Sequence, residues 1–185
     1  MRPAAHPFSS VFVTVGTDHH PFDRLVRWVD AWLEDRDDSV SCFVQRGTSA
    51  APRRAESAEF LPYEEMEARM RAARAVVSHG GPATIMLARY NGAKPIVVPR
   101  RSELGEHVDD HQAIFSRRIA AEGSVELAES EADFRTLLDR AVDDQLVVES
   151  STSHASVGMA VSRFEHLVNA LLGVDPATAA ARGTA

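Results

Sequence analysis

Only one of the 185 residues is a cysteine, Cys42. No disulfide can close within the chain, which fits a reducing compartment such as the cytoplasm. Inside the apolar run 40–44 this thiol reads as a small buried hydrophobe rather than a nucleophile. No run approaches the roughly 20 apolar residues that a membrane-crossing helix needs. The first ten residues have no apolar stretch of the signal-peptide type. Positive charge is also in deficit, with 20 Lys and Arg against 27 Asp and Glu and a formal net charge of −7. That argues against nucleic acid as the main partner, because phosphate-backbone recognition needs a basic face. A local nest of backbone N–H groups can still hold an anion whatever the global charge. The dinucleotide spacing Gly-x-Gly-x-x-Gly and the hydrolase elbow Gly-x-Ser-x-Gly are both absent.

The remaining composition is that of a globular domain, 44% hydrophobic and 25% charged, on a chain long enough for one core. Short β-branched runs alternate with segments of helical spacing. Strands are expected at 11–15, 40–44, 59–61, 75–78, 95–99 and 125–127, each bounded by turn residues. Helices are expected from Pro21 to about Glu34, over 63–73, from Pro82 to Asn91-Gly92, and over 109–121. Residues 51–57 and 100–108 read as polar loops. Ser130 with Asp133 resembles a capping box opening a further helix. Val157, Val161, Phe164, Val168 and Leu171 give residues 153–172 an amphipathic pattern, suited to docking on a partner or on the chain's own sheet. Strict strand–helix alternation implies an α/β fold: a mainly parallel, Rossmann-like sheet with helices on both faces. The expected organisation is one domain over 1–173 and a disordered tail over 174–185.

In such sheets ligands bind beyond the carboxyl ends of the strands, and three strand-to-helix turns carry unusual chemistry. The first is Gly16-Thr17-Asp18-His19-His20, with a flexible glycine, a hydroxyl and two imidazoles. It reads either as a ligand turn or as an ordinary turn in which Asp18 or His20 caps the helix. The second is Ser78-His79-Gly80-Gly81-Pro82-Ala83-Thr84. Paired glycines before a helix with proline in its first turn make an anion site, from free N–H groups and the helix dipole. The third spans Gly105 to Gln112 and gathers Glu106, His107, Asp110, His111 and Gln112. These groups suit several sugar hydroxyls at once. A metal site from His107, Asp110 and His111 fits no strong zinc spacing, and a solvated acidic helix start is the plain alternative.

The order Ser78-His79-Gly80-Gly81, Gly92, Lys94-Pro95-Ile96-Val97-Val98-Pro99, Asp110-His111-Gln112 resembles the C-terminal domain of family 28 glycosyltransferases, which have the two-domain GT-B architecture. The opening Phe12-Val13-Thr14-Val15-Gly16-Thr17 is similar to the standalone donor-binding subunits of two-part enzymes of capsule, exopolysaccharide or dolichol-pathway type. The resemblance implies a subunit that binds a UDP-sugar and passes a hexose-type sugar, with inversion, to a lipid-linked saccharide in polysaccharide synthesis. Gly16, Thr17, His79, Gly80, Gly81, Ala83 and Thr84 would contact the diphosphate. Glu106, Asp110, His111 and Gln112 would lie at the sugar, and the loop near Leu61 to Tyr63 at the base. His19 or His20 is the candidate general base. No metal or other cofactor is implied. The expected partner is a membrane-attached acceptor-domain subunit, placing this chain at the inner face of the membrane; a homo-oligomer is the other possibility. One position departs from the family pattern. Leu87 stands where many relatives carry an acidic ribose contact, which favours the alternative of a non-catalytic enhancer subunit. Sugar-nucleotide epimerases share the architecture but use two domains in one chain.

Overall fold

The computed structural model describes residues 10–36 and 40–143. Six strands form one sheet: β1 (Val11–Thr14), β2 (Cys42–Gln45), β3 (Glu56–Ala58), β4 (Ala75–His79), β5 (Ile96–Val98) and β6 (Glu126–Leu127). Five α-helices connect them: α1 (Asp23–Glu34), α2 (Tyr63–Ala72), α3 (Pro82–Tyr90), α4 (His111–Ala121) and α5 (Glu131–Asp143).

All neighbouring strands are parallel, in the order β3-β2-β1-β4-β5-β6. β1 is central, paired on one side with β2 (Val13 opposite Val44) and on the other with β4 (Val13 opposite Val77). Every residue of β1, β2 and β4 is buried. That is why these strands read as continuous apolar runs rather than alternating ones.

The pleat sends alternate residues to opposite faces. Val11, Val13 and Val15 pack with Phe22, Leu25, Val29 and Trp32 around α1, and with Phe134 and Leu138 of α5. Phe12, Phe43 and Val76 pack on the other face with Met70 of α2 and Ala88 of α3. The expected helix cover on both faces is therefore present. Cys42 is buried, and burial pushes its thiol far above the ordinary range, so it is chemically inert. No helix among the described residues is long and apolar enough to cross a membrane.

Three local expectations change. The third strand lies at Glu56–Ala58, overlapping the end of the expected loop 51–57, rather than at 59–61. It is an exposed edge strand, so it carries no apolar signal. The apolar pair Phe60-Leu61 lies beyond it, with Phe60 exposed and Leu61 packed against the Phe12 cluster. The polar loop 100–108 contains a 3-10 turn at Ser102–Leu104, and its first residue, Arg100, is fully buried. The helix expected from Asp109 starts at His111, because Asp109 turns back to accept the His111 N–H at 3.1 Å. The Ser130–Asp133 capping box forms reciprocally, with N–H to side-chain bonds of 3.0 and 3.1 Å. The amphipathic segment 153–172 and the tail 174–185 lie outside the described residues.

Candidate functional site

β1 and β4 are adjacent, yet the chain leaves them toward opposite halves of the sheet. This reversal opens a crevice at their carboxyl ends, the usual ligand position in an open parallel sheet. All three turns singled out above meet there.

Gly16 follows β1 with φ +83, a left-handed conformation that favours glycine. Its carbonyl is held at 3.0 Å by Nε2 of the buried Gln45, which also donates to the Glu59 carbonyl at 2.8 Å. Thr14 Oγ1 donates to Gln45 Oε1 in turn. One buried amide therefore fixes both the β1 turn and the segment after β3. Thr17 is exposed at the rim.

The second turn has an unexpected interior. The imidazole of His79 is 9% exposed and lies between two glycines. A Cβ on Gly16 would come within 2.4 Å of its Cε1, and one on Gly81 within 2.2 Å of its Nε2. A Cβ on Gly80 would meet Gln112 Cβ and Ser116 Oγ of α4, both at 2.8 Å. The sequence suggests glycines that clear the approach of a ligand. In the structure the cleared space is filled by the protein's own histidine and by α4. His79 Nδ1 is buried without a well-formed hydrogen bond. Burial, then the positive charge of Arg100, outweigh the opposing pull of the Thr14 backbone and Asp18, and lower the pKa to about 4. The ring is neutral at neutral pH.

Beyond Gly81, α3 opens with Pro82 and has no side-chain cap. Its first bond runs from the Ile85 N–H to the Gly81 carbonyl at 3.1 Å. The earlier Ala83 and Thr84 N–H groups point ahead of the helix, with its dipole behind them. Leu87, one turn further on, packs against the Phe12–Met70 cluster.

Arg100 opens the expected polar loop 100–108 and is fully buried. It donates to the carbonyls of Val15 (2.9 Å), His20 (2.7 Å) and Glu106 (2.8 Å). It thereby ties the β1 turn to the loop after β5. Glu106, expected near a sugar, is buried instead. Both of its oxygens bond Arg24 at 2.8 and 2.9 Å, and Oε2 also accepts the Arg101 N–H at 3.0 Å. This geometry makes it a brace: the carboxylate is buried and both oxygens are held by Arg24. No signal in the linear sequence links Arg24 to Glu106 across 82 positions.

Asp110 is exposed; its Oδ1 accepts both the Ser102 N–H and hydroxyl, and Oδ2 has no such bond. His111 is exposed and pairs with Asp109 at 2.8 Å. Gln112 lies beside Gly80, its Oε1 buried and unpartnered. Asp18 does not cap α1, which opens at Phe22 without a side-chain cap. It accepts the His20 N–H at 2.8 Å and contacts His20 Nδ1 at 2.7 Å. Burial raises its pKa, but these two bonds, with the charges of Arg100 and His20, outweigh it and leave the group at about 2. Oδ2 of the same carboxylate faces His107 Nε2 at 3.5 Å.

The glycosyltransferase family 28 C-terminal domain matches residues 10–168. Among solved structures, the glycotransferase of kitacinnamycin aligns over 92% of this chain and 41% of its own, with 16% identity and TM-score 0.57. MurG of Acinetobacter baumannii aligns over 74% and 41%, with 17% identity and TM-score 0.51. The glycosyltransferase VinC, in complex with dTDP, aligns over 94% and 43%, with 20% identity and TM-score 0.51. The chain thus spans about two fifths of the length of these proteins. No curated protein matches the sequence.

Proposed function

The chain belongs to the glycosyltransferase family 28 C-terminal domain family, and from that premise we propose that it is the donor-binding half of a glycosyltransferase that acts on a UDP-linked hexose. The observation that carries this reading is the crevice between β1 and β4. There an uncapped helix start, Gly81 to Thr84, faces the Gly16 turn.

The diphosphate lies across the Ala83 and Thr84 N–H groups, with Gly16 and Thr17 as the opposite rim. The helix dipole offsets charge on the departing nucleotide without a bound metal. His79 acts from beneath, as the wedge that holds Gly16 and Gly81 apart. Exposed Phe60 and Tyr63, after β3, offer flat faces for the base. Asp110 Oδ2, His111 and Gln112 take sugar hydroxyls. His20, its Nδ1 held by Asp18, presents Nε2 as the general base. The acceptor oxygen attacks the anomeric carbon, its proton passes to Nε2, and the carbon–oxygen bond to the diphosphate breaks with inversion. The acceptor, a lipid-linked saccharide in polysaccharide synthesis, comes from a membrane-attached partner subunit at the cytoplasmic face. VinC, in complex with dTDP, lends support to a nucleoside diphosphate ligand.

Leu87 favours a second reading. Its packing against the Phe12 cluster leaves no acidic ribose contact at that position, as in a non-catalytic subunit that stabilises its partner. Calorimetric titration of UDP, UDP-sugars and pyrophosphate separates the two. Saturable UDP-sugar binding, displaced by pyrophosphate and weakened by Gln112→Ala, supports the donor-binding role. No binding by the chain, alone or with an acceptor-domain partner, leaves the enhancer reading.

A further inference from the structure

Four side chains at the mouth of the crevice form a cluster that the transfer reaction does not need as a whole. Asp18, His19 and His20 follow β1, and their donor atoms lie within 4.8 Å of one another. Asp18 Oδ1 is 2.7 Å from His20 Nδ1 and 3.5 Å from His19 Nδ1. His107 arrives from the loop after β5, with Nε2 3.5 Å from Asp18 Oδ2.

We propose that Asp18, His19 and His20, joined by His107, form a binding site for a borderline divalent transition metal such as Zn²⁺. Three arguments carry it. Two ligands on a tetrahedral zinc, each about 2.1 Å from the metal, stand about 3.4 Å apart. From Asp18 Oδ1, His19 Nδ1 at 3.5 Å matches that spacing and His20 Nδ1 at 2.7 Å, a hydrogen bond, has to open by under about 1 Å; His107 faces the other oxygen, Oδ2, at 3.5 Å and turns in as the fourth ligand. Next, His107 Nδ1 lies 3.3 Å from Asp109 Oδ1, so a carboxylate already orients the ring and leaves Nε2 for the metal. Finally, Arg100 donates to the His20 carbonyl at 2.7 Å. That bond fixes the turn that carries His19 and His20, and a donor set of imidazoles with one carboxylate offers too few oxygens for Mg²⁺ or Ca²⁺. It leaves imidazole-bonded metals as the fitting class.

The site stands on the cluster's geometry and not on the donor-binding reading. Where that reading also holds, a metal on His20 Nδ1 leaves the ring proton on Nε2, so the proposed base has no free lone pair and transfer is inhibited. The test uses the tag-free full chain after chelator treatment, with no nucleotide or acceptor present. Zn²⁺ is titrated calorimetrically, Co²⁺ by its visible spectrum, and Mg²⁺ serves as the comparison. One equivalent of Zn²⁺ is expected, with a Co²⁺ spectrum of low coordination number and no Mg²⁺ heat. Asp18→Asn and His19→Ala are each expected to weaken Zn²⁺ at least about tenfold. His19 is 83% exposed, so its loss cannot act through unfolding. Absence of saturable Zn²⁺ binding overturns the proposal. So does binding that survives both cluster substitutions.

Discussion

Gly81→Ala isolates the packing of the His79 turn. The φ of Gly81 is −74 with ψ 124, a conformation open to alanine, so the backbone adds no strain. The added methyl would stand 2.2 Å from His79 Nε2, 2.9 Å from Cδ2 and 3.1 Å from Cε1. Such a contact cannot be absorbed by small shifts, and the ring must leave its slot. Overpacking of this kind costs about 1–3 kcal/mol. His79→Ala alone should cost a comparable ~1–3 kcal/mol, from the cavity less the relief of an unpartnered nitrogen. In the double variant the new methyl enters space the ring has vacated. The combined loss should then fall short of the sum by about 1–2 kcal/mol, beyond the ~0.5 kcal/mol scatter of independent sites. Urea denaturation of the four proteins measures this cycle. Additive losses would refute the wedge role of His79. Gly16→Ala supplies a contrast, because its φ of +83 leaves about 1–2 kcal/mol of strain that His79→Ala cannot relieve.

The same imidazole makes stability depend on pH. Its folded pKa is about 4 and its unfolded value about 6.5, so between these the unfolded chain binds the extra proton. Stability should rise with pH across that window by up to about 3 kcal/mol and then level off, with His79→Gln flattening the profile. Denaturation at a series of pH values checks it, and an unchanged profile in the variant would count against a buried neutral ring. Arg24→Met strands the buried Glu106 carboxylate and should cost about 3–5 kcal/mol, while Arg24→Met with Glu106→Leu should lose less; thermal melts of both variants decide the order. Leu87→Glu should tighten UDP about tenfold, through one hydrogen bond to ribose worth roughly 1.5 kcal/mol, and leave pyrophosphate unchanged. Equal affinities for UDP in the two proteins would show that this face of α3 does not meet the ribose.

The architecture was legible in the linear sequence because each level agreed with the next. Val11 to Val15 and Ala75 to Ser78 are β-branched runs closed by glycine or a Gly-Gly pair. Leu25, Val26, Val29, Trp32 and Leu33 repeat at helical spacing. Strand–helix alternation then leaves a parallel sheet as the way to bury them all. Edge elements were harder to read. Glu56–Ala58 pairs only through its backbone, which the side-chain pattern does not register, and Phe60-Leu61 drew the strand three residues too far along.

The three turns were also found from sequence, since Gly16, His79-Gly80-Gly81 and 105–112 each follow a strand. Tertiary structure decided what their residues do. It put the His79 ring into the space left by Gly16 and Gly81, and α4 into the space left by Gly80. It turned Glu106 inward to Arg24, and it buried Arg100 beneath three carbonyls. It also brought His107 to the carboxylate of Asp18. The physical reason is common to all four. Strand and turn propensities act over a few neighbouring residues. Hydrogen bonds and steric exclusion between β1, β4, α4 and the β5 loop join residues far apart in the chain, through a sheet order that no local signal encodes.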